Sequence, residues 1–389
     1  MPKPVSVIVI GGSHAGLAIS QKLLRLTRRV KITLINPSHE YYFNIAAPRF
    51  LVKPESLLPS KYLYPIVDAF SEYPDGAFTF VKGLVTSIDY SSKSVSVVLS
   101  ADASAPAATS FAFDYLVIAS GSTTSATLGQ LSVKLPFKAT AFEDTRKAIY
   151  QAQEKLKGAQ RIVIGGAGPL GVELAGELAE AAGGAKKVTL VSRTSVLLEG
   201  ATRRAQKAAL SLLQQKNVEV LTNTTVVDAA NTAQDEIWKI KLSTGVTLTA
   251  DAYIATTGTI PNNDFIPTAL LNCDGWVNVD ESLRAVENGV SRSDTYAVGD
   301  ITSHPDRLLS RVSVQAQAVA SNIAAAVNES SRVITYSAEA QMKMMVVPVG
   351  QSTGTGNVGN WTLFGCLVWF FKGKDFLTYE APKFLRGQR

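Results

Sequence analysis

Val5-Ser-Val-Ile-Val-Ile-Gly-Gly-Ser-His-Ala-Gly16 decides the fold. Residues rich in Val and Ile run into a glycine turn, and Leu17-Ala-Ile-Ser-Gln-Lys-Leu-Leu-Arg-Leu26 follows with apolar residues at helical spacing. Strand, tight turn and helix in that order open a dinucleotide-binding βαβ unit. Glycine lets the main chain approach a pyrophosphate, whose charge then rests against free N–H groups at the helix N-terminus. The match to G-x-G-x-x-G is degenerate: Gly11, Gly12, Ser13 and Gly16 put serine at the middle glycine. Alone, it also suits an ordinary glycine-rich βα turn.

The chain repeats the device. Arg161-Ile-Val-Ile-Gly-Gly-Ala-Gly-Pro-Leu-Gly171 is a full match at Gly166, Gly168 and Gly171. The helix Val172 to Glu180 follows, stops at Gly183-Gly184, and Lys187-Val-Thr-Leu-Val191 supplies the next strand. Strand ends recur as well: Tyr115-Leu-Val-Ile-Ala-Ser-Gly121 is mirrored by Asp251-Ala-Tyr-Ile-Ala-Thr-Thr-Gly258. Small residues there allow a ligand close to the C-terminal edge of a parallel sheet. A whole domain plan is duplicated within one chain.

Between these markers, Val30 to Ile35 reads as the second strand of the first unit, with Asn36 where an acid would accept a ribose hydroxyl. Pro37 to Phe50, including Arg49, reads as a loop entering a helix, laid along a cofactor or simply on the surface. Short alternating strands are expected at Phe80-Val81, Val85 to Ile88 and Val95 to Leu99, with an exposed hairpin tip over Ala101 to Ser110. Hairpins recur near Val226, Trp238 to Leu242 and Val246 to Leu248.

Composition narrows the class. The chain has 389 residues, 46% hydrophobic and 18% charged, enough for two or three domains with ample cores. No apolar run reaches the ~20 residues of a spanning helix, and because Met1-Pro-Lys-Pro leads almost directly into the first strand, no leader is expected. Pro2 excludes N-myristoylation. Cys273 and Cys366 lie far apart, which fits a reducing compartment and a cytoplasmic protein, soluble or peripheral on a membrane surface. Of the net charge of +6, +4 falls in residues 331–389, a solvated basic surface or an attraction to anionic lipid or an acidic ligand. No basic stripe interleaved with aromatics points to nucleic acid. His14, His39 and His304 are scattered, so no metal site is expected.

Thr295-Tyr-Ala-Val-Gly-Asp300 completes the pattern, since a strand ending Gly-Asp suits a carboxylate on a sugar hydroxyl. With these ordered motifs, residues 5–325 resemble the two-dinucleotide-fold flavoproteins, the pyridine nucleotide-dependent oxidoreductases. The resemblance implies an α/β chain with two Rossmann-like domains and a small C-terminal α+β domain. Residues 1–125 and 251–330 would bind FAD, 126–250 NAD(P)H, and 331–389 would form the third part. For FAD it nominates Gly11, Gly12, Ser13, Gly16, Asn36, Arg49 and Asp300, with Gln315 in a helix begun by Arg311 to Ala318 whose amides face the flavin. For NAD(P)H it nominates Gly166, Gly168, Gly171, Glu173 and Arg193. Arg193, where an acid would favour NADH, tilts the reading toward NADPH or weak discrimination.

The electron acceptor must be read from what is missing and from the tail. A flavin-reduced disulfide needs adjacent thiols, and none follow the first glycine helix. The loop Asn44-Ile-Ala-Ala-Pro-Arg49 and the segment Lys372-Gly-Lys-Asp375-Phe resemble the ferroptosis suppressor and apoptosis-inducing factor-like (mitochondrion-associated) group, fungal members included. That resemblance implies a quinone acceptor and places Lys372 at the flavin as a catalytic residue. An ammonium there would stabilise a reduced flavin and supply a proton. Trp361 to Phe371 is hydrophobic all round; as a helix it would reach ~16 Å, too short to span. It would lie in a headgroup layer (lipid droplet, plasma membrane or mitochondrial outer face) or pack in a C-terminal domain or homodimer contact. The rival functions are a redox-sensing signalling flavoprotein and a reductase for a protein partner or biosynthetic intermediate.

Overall fold

The computed structural model describes residues 3–99, 108–140, 144–232, 237–305, 307–337 and 344–388. The expected hairpin tip over Ala101 to Ser110 lies largely outside them.

The opening strand, Val5–Ile10, is central in a six-stranded sheet and pairs in parallel with Val30–Asn36 on one side and Tyr115–Ile118 on the other. Its side chains alternate between two cores. Val7 and Val9 face the large core shared with the helices His14–Leu26 and Leu309–Val327. Ile8 and Ile10 face a smaller core with Val85, Ile88, Val95 and Val97 from an antiparallel three-stranded sheet. Each fully buried side chain of this kind contributes roughly 1.5–3 kcal/mol. Phe78–Lys82, expected as part of the hairpin series, instead pairs in parallel with Val30–Asn36 as the sheet's edge strand. Val290–Ala297, which feeds the Gly-Asp turn, joins beside Tyr115–Ile118.

The second unit repeats the plan with four parallel strands in the order Glu219–Leu221, Lys187–Val191, Arg161–Gly165, Ala252–Ala255. Helix Pro169–Ala182 follows its glycine turn and ends on left-handed Gly183. One boundary moves: Ala252–Ala255 completes this sheet by pairing with Arg161–Gly165, so the second unit runs past 250 to residue 255. Val226–Thr232, Ile237–Leu242 and Thr247–Ala250 form the expected meander.

The C-terminal part is α+β. Met344–Pro348, Gly354–Val358 and Trp361–Leu363 form an antiparallel sheet against helices Pro169–Ala182 and Arg203–Gln215. Gly176 permits the contact, because a Cβ there would press within 2.8 Å of the Gly350 nitrogen and the Val349 Cα. The apolar stretch Trp361 to Phe371 is thus not one helix. Its first residues are consumed by sheet pairing, and a short helix Gly365–Val368 and a wide turn Trp369–Gly373 follow. Val368 is fully buried, whereas Trp361, Phe364 and Phe370 are 83%, 73% and 65% exposed. Among the described residues no helix is long and apolar enough to cross a membrane.

Candidate active site

The first glycine turn has the backbone its chemistry requires. Gly11 sits at φ +109°, and a Cβ there would collide with the Ala119 carbonyl. A Cβ on Gly16 would strike the Gly11 carbonyl, so strand and helix meet only because both are glycine. Ser13 precedes helix His14–Leu26 without capping it, and the first turn holds no acid. Its free N–H groups and the helix dipole therefore face outward as an anion site. Gly12 N–H donates to Asn36 Oδ1 (2.8 Å), and Asn36 Nδ2 donates to the Ser38 carbonyl (2.6 Å), so this amide braces the turn.

Asp300 stands at the same end. Gly299 N–H donates to Gln315 Oε1 (2.8 Å), which fixes the Gly-Asp turn from within helix Leu309–Val327. The Asp300 carboxylate accepts from Ser122 Oγ (2.8 Å) and Lys138 Nζ (2.9 Å). Burial pushes this carboxyl up, but Lys138 and the Ser122 hydroxyl outweigh it and hold it below the usual range. His14 is buried, which lowers it to about 4, so the ring is neutral at physiological pH. Nε2 faces the Asn44 amide oxygen (3.3 Å) and must carry the proton, leaving Nδ1 to accept from Tyr41 Oη (2.8 Å).

The second turn repeats the geometry with Gly166 at φ +120° and Gly171 packed on the Gly166 carbonyl. Space is open around Gly168, and around Gly121 and Gly258 after the two matching strand ends. Gly171→Ala is expected to leave flavin bound and slow its reduction by NAD(P)H by about tenfold or more, since a cradle distorted by ångströms misplaces the donor. Visible absorbance and anaerobic NAD(P)H titration check both halves. Arg193 lies at the end of Lys187–Val191, 76% exposed, with Glu199 at 3.7 Å.

A stripe of carboxylates on Pro169–Ala182 joins the three parts of the chain. Glu173 binds Lys372 Nζ (2.5 Å). Glu177 takes Arg49 in a fork, Nε at 2.7 Å and Nη2 at 2.9 Å, and Arg49 Nη2 also donates to the Gly373 carbonyl (2.9 Å). Glu180 binds Lys53 (2.5 Å) and Lys216 (2.7 Å) and accepts from Gln351 N–H (2.8 Å). Arg49 is therefore a strut to the second unit and tail, its guanidinium held by Glu177 and the Gly373 carbonyl. Burial pushes Glu173 up, and Lys372 partly offsets it. Burial also pushes Glu180 up, but Lys216, Lys53 and the Gln351 N–H bring it down to about 2 from 4.5. That stabilisation is complete above about 4.5 and is lost as pH falls toward 2. Glu180→Gln is expected to flatten the acid arm of urea-midpoint stability measured against pH.

The structure thus gathers Gly11, Gly12, Ser13, Gly16, Asn36, Asp300 and Gln315 at one cradle, and Gly166, Gly168 and Gly171 at the other. It pairs Glu173 with Lys372 and leaves Arg193 on the surface. The sequence carries no local signal for Ser122, Lys138 or His14 in the site, whereas the spacing of Glu173, Glu177 and Glu180 puts Glu177 on one helix face with its neighbours.

Two such cradles on duplicated parallel sheets define a dinucleotide-dependent oxidoreductase. The chain belongs to the pyridine nucleotide-disulphide oxidoreductase family, whose profile matches residues 5–330. It is 33% identical over 387 residues to the oxidoreductase ptaL of Pestalotiopsis fici, covering 98% of each chain. It is 24% identical over 394 residues to the ferroptosis suppressor protein 1 of Mus musculus, covering 98% of this chain and 96% of that one. In fold it is similar to the sulfide:quinone oxidoreductase of Aquifex aeolicus (TM-score 0.77, 17% identity, 98% and 92% coverage). It is also similar to NDH2 of Plasmodium falciparum in complex with NADH (TM-score 0.76, 14% identity, 99% and 98% coverage). FAD and NAD(P)H are its cofactors, and the uncapped helix, the open glycine cradles and the ionised Asp300 fit them.

Proposed function

We propose that this chain is an NAD(P)H:quinone oxidoreductase allied to the ferroptosis suppressor and apoptosis-inducing factor-like group. The observation that carries the reading is Lys372, 2.5 Å from the buried Glu173, beside a surface of exposed aromatics. When bound, FAD would supply the hydride-accepting and two-electron-donating chemistry between NAD(P)H and the acceptor. The quinone also needs two protons; the hydride accounts for one and Lys372 Nζ supplies the other. Glu173 accepts from Lys372 Nζ and holds the ammonium in place, and solvent reprotonates the amine after transfer. The ammonium also lies 5.5 Å from the Phe376 ring centroid, which confines it.

The aromatic surface gives an apolar acceptor its approach. Trp361, Phe364, Leu367, Phe370 and Phe371 are exposed, with Arg203 and Arg204 beside Trp361 in a groove of about 930 Å³. Such a patch with cations at its edge suits a lipid headgroup layer. Trp361→Glu/Phe370→Glu is expected to abolish flotation with anionic liposomes while leaving turnover of a short-chain quinone within about twofold. Flotation by neither protein removes the membrane contact. Short-chain quinones added to the NAD(P)H-reduced protein test the acceptor. Rapid reoxidation supports the reading; a long-lived reduced state, indifferent to every quinone, moves it to a signalling flavoprotein.

A further inference from the structure

The FAD cradle contains a charge problem that its glycines do not solve. FAD brings a diphosphate to the uncapped end of His14–Leu26, where the Asp300 carboxylate already stands. His14 contributes no charge there. Helix N–H groups offer about half a positive charge, short of a diphosphate and a carboxylate together.

Lys138 meets this deficit. Its ammonium is 2.9 Å from Asp300 Oδ2, the oxygen that also accepts from Ser122. The backbone that aims it is fastened on several sides. The Pro136 carbonyl accepts from Tyr42 Oη (2.6 Å), the Phe137 carbonyl accepts from Asn44 Nδ2 (2.8 Å), and Lys138 N–H donates to Thr127 Oγ1 (3.2 Å). Asn44 in turn contacts His14, the first residue of the helix, so Lys138 is indexed to the phosphate end. A second cation is near, but Arg307 lies 3.5 Å over Trp276 and donates to the Asp300 main-chain carbonyl (3.3 Å). Lys138 contacts the carboxylate itself.

We propose that Lys138 is an FAD-binding residue whose ammonium neutralises the diphosphate and the Asp300 carboxylate together. It keeps Asp300 an acceptor for a ribityl hydroxyl while two phosphates approach. This assignment rests on FAD, and holds whether or not the acceptor is a quinone.

Apoprotein titrated with FAD and with riboflavin, followed by flavin fluorescence quenching at low and high salt, tests it. Riboflavin keeps the ring and ribityl chain and lacks the phosphates. Lys138→Met is expected to weaken FAD binding about ten- to hundredfold and flatten its salt dependence. Riboflavin binding is expected to stay within about twofold, and Lys138→Arg to recover most of the FAD affinity. Unchanged FAD binding by Lys138→Met overturns the assignment. So does a parallel loss of riboflavin, which marks a merely structural role, in Lys138→Met or in Lys138→Gln should the first not fold. A wild-type chain that took up no FAD would overturn the flavin reading as well, whereas normal uptake by the variant overturns this assignment alone.

Discussion

Glu177→Ala is expected to cost about 3–5 kcal/mol of stability, a large fraction of the ~5–15 kcal/mol typical of a folded chain. Arg49 and Glu177 are 1% and 0% exposed, so neither ion can turn to water when its partner goes. The Arg49 guanidinium would keep the Gly373 carbonyl and the Phe376 ring, 4.8 Å from its carbon, with the Glu173 and Asp375 carboxylates acting on it without a direct hydrogen bond. Lys53, 3.1 Å from Glu177, would lose an anion too. Most of the cost is the stranded charge, not the intrinsic worth of the pair. The double replacement Arg49→Met/Glu177→Leu is therefore expected to be less harmful than either single truncation. Urea unfolding of the three variants measures this; single variants within about 1 kcal/mol of wild type would contradict it.

Lys372→Ala is expected to lower quinone-dependent turnover by about a hundredfold or more, while NAD(P)H-driven reduction falls by less than about tenfold. The split follows from the proposed role, in which the ammonium serves the acceptor's proton while hydride delivery depends on the second cradle. Removing Lys372 also leaves Glu173 buried without its cation, which pushes its carboxyl further up. An acid with a folded value above its unfolded one binds more protons when folded, so stability falls as pH rises through that window. The variant should lose stability over a wider range above about 4.5 than wild type does. Glu173→Gln should remove that slope and, with Lys372 less firmly held, still turn over slowly. Stopped-flow traces of the two half-reactions, with pH-dependent melts, measure both. Equal losses in the two half-reactions would contradict the role.

Much of this was legible because it is local. Val5–Ile10 and Arg161–Gly165 announce themselves by β-branched runs ending in glycine, and the helices by their apolar period. The Gly-Asp marker at Asp300 was equally direct, since turn and carboxylate are adjacent in the chain. What escaped depends on distance. Arg49 meets Glu177 across 128 residues, and Lys138 meets Asp300 across 162; neither spacing carries a period. Phe78–Lys82 alternates like a hairpin strand, and only its parallel neighbour makes it an edge of the main sheet. Trp361 to Phe371 is hydrophobic all round, which does not distinguish a helix from a strand, and pairing of Trp361–Leu363 with Gly354–Val358 takes its first residues into a sheet. In these last two cases tertiary pairing overrode the local pattern.

Hydride passage between the two cradles is the claim on which the rest stands. The direct test is to mix the purified yellow protein anaerobically with NAD(P)H and follow the flavin absorbance, then add a short-chain quinone. Bleaching by NAD(P)H and recovery on quinone are the predicted results; a protein that holds flavin yet keeps its colour in excess NADH and NADPH would contradict the account.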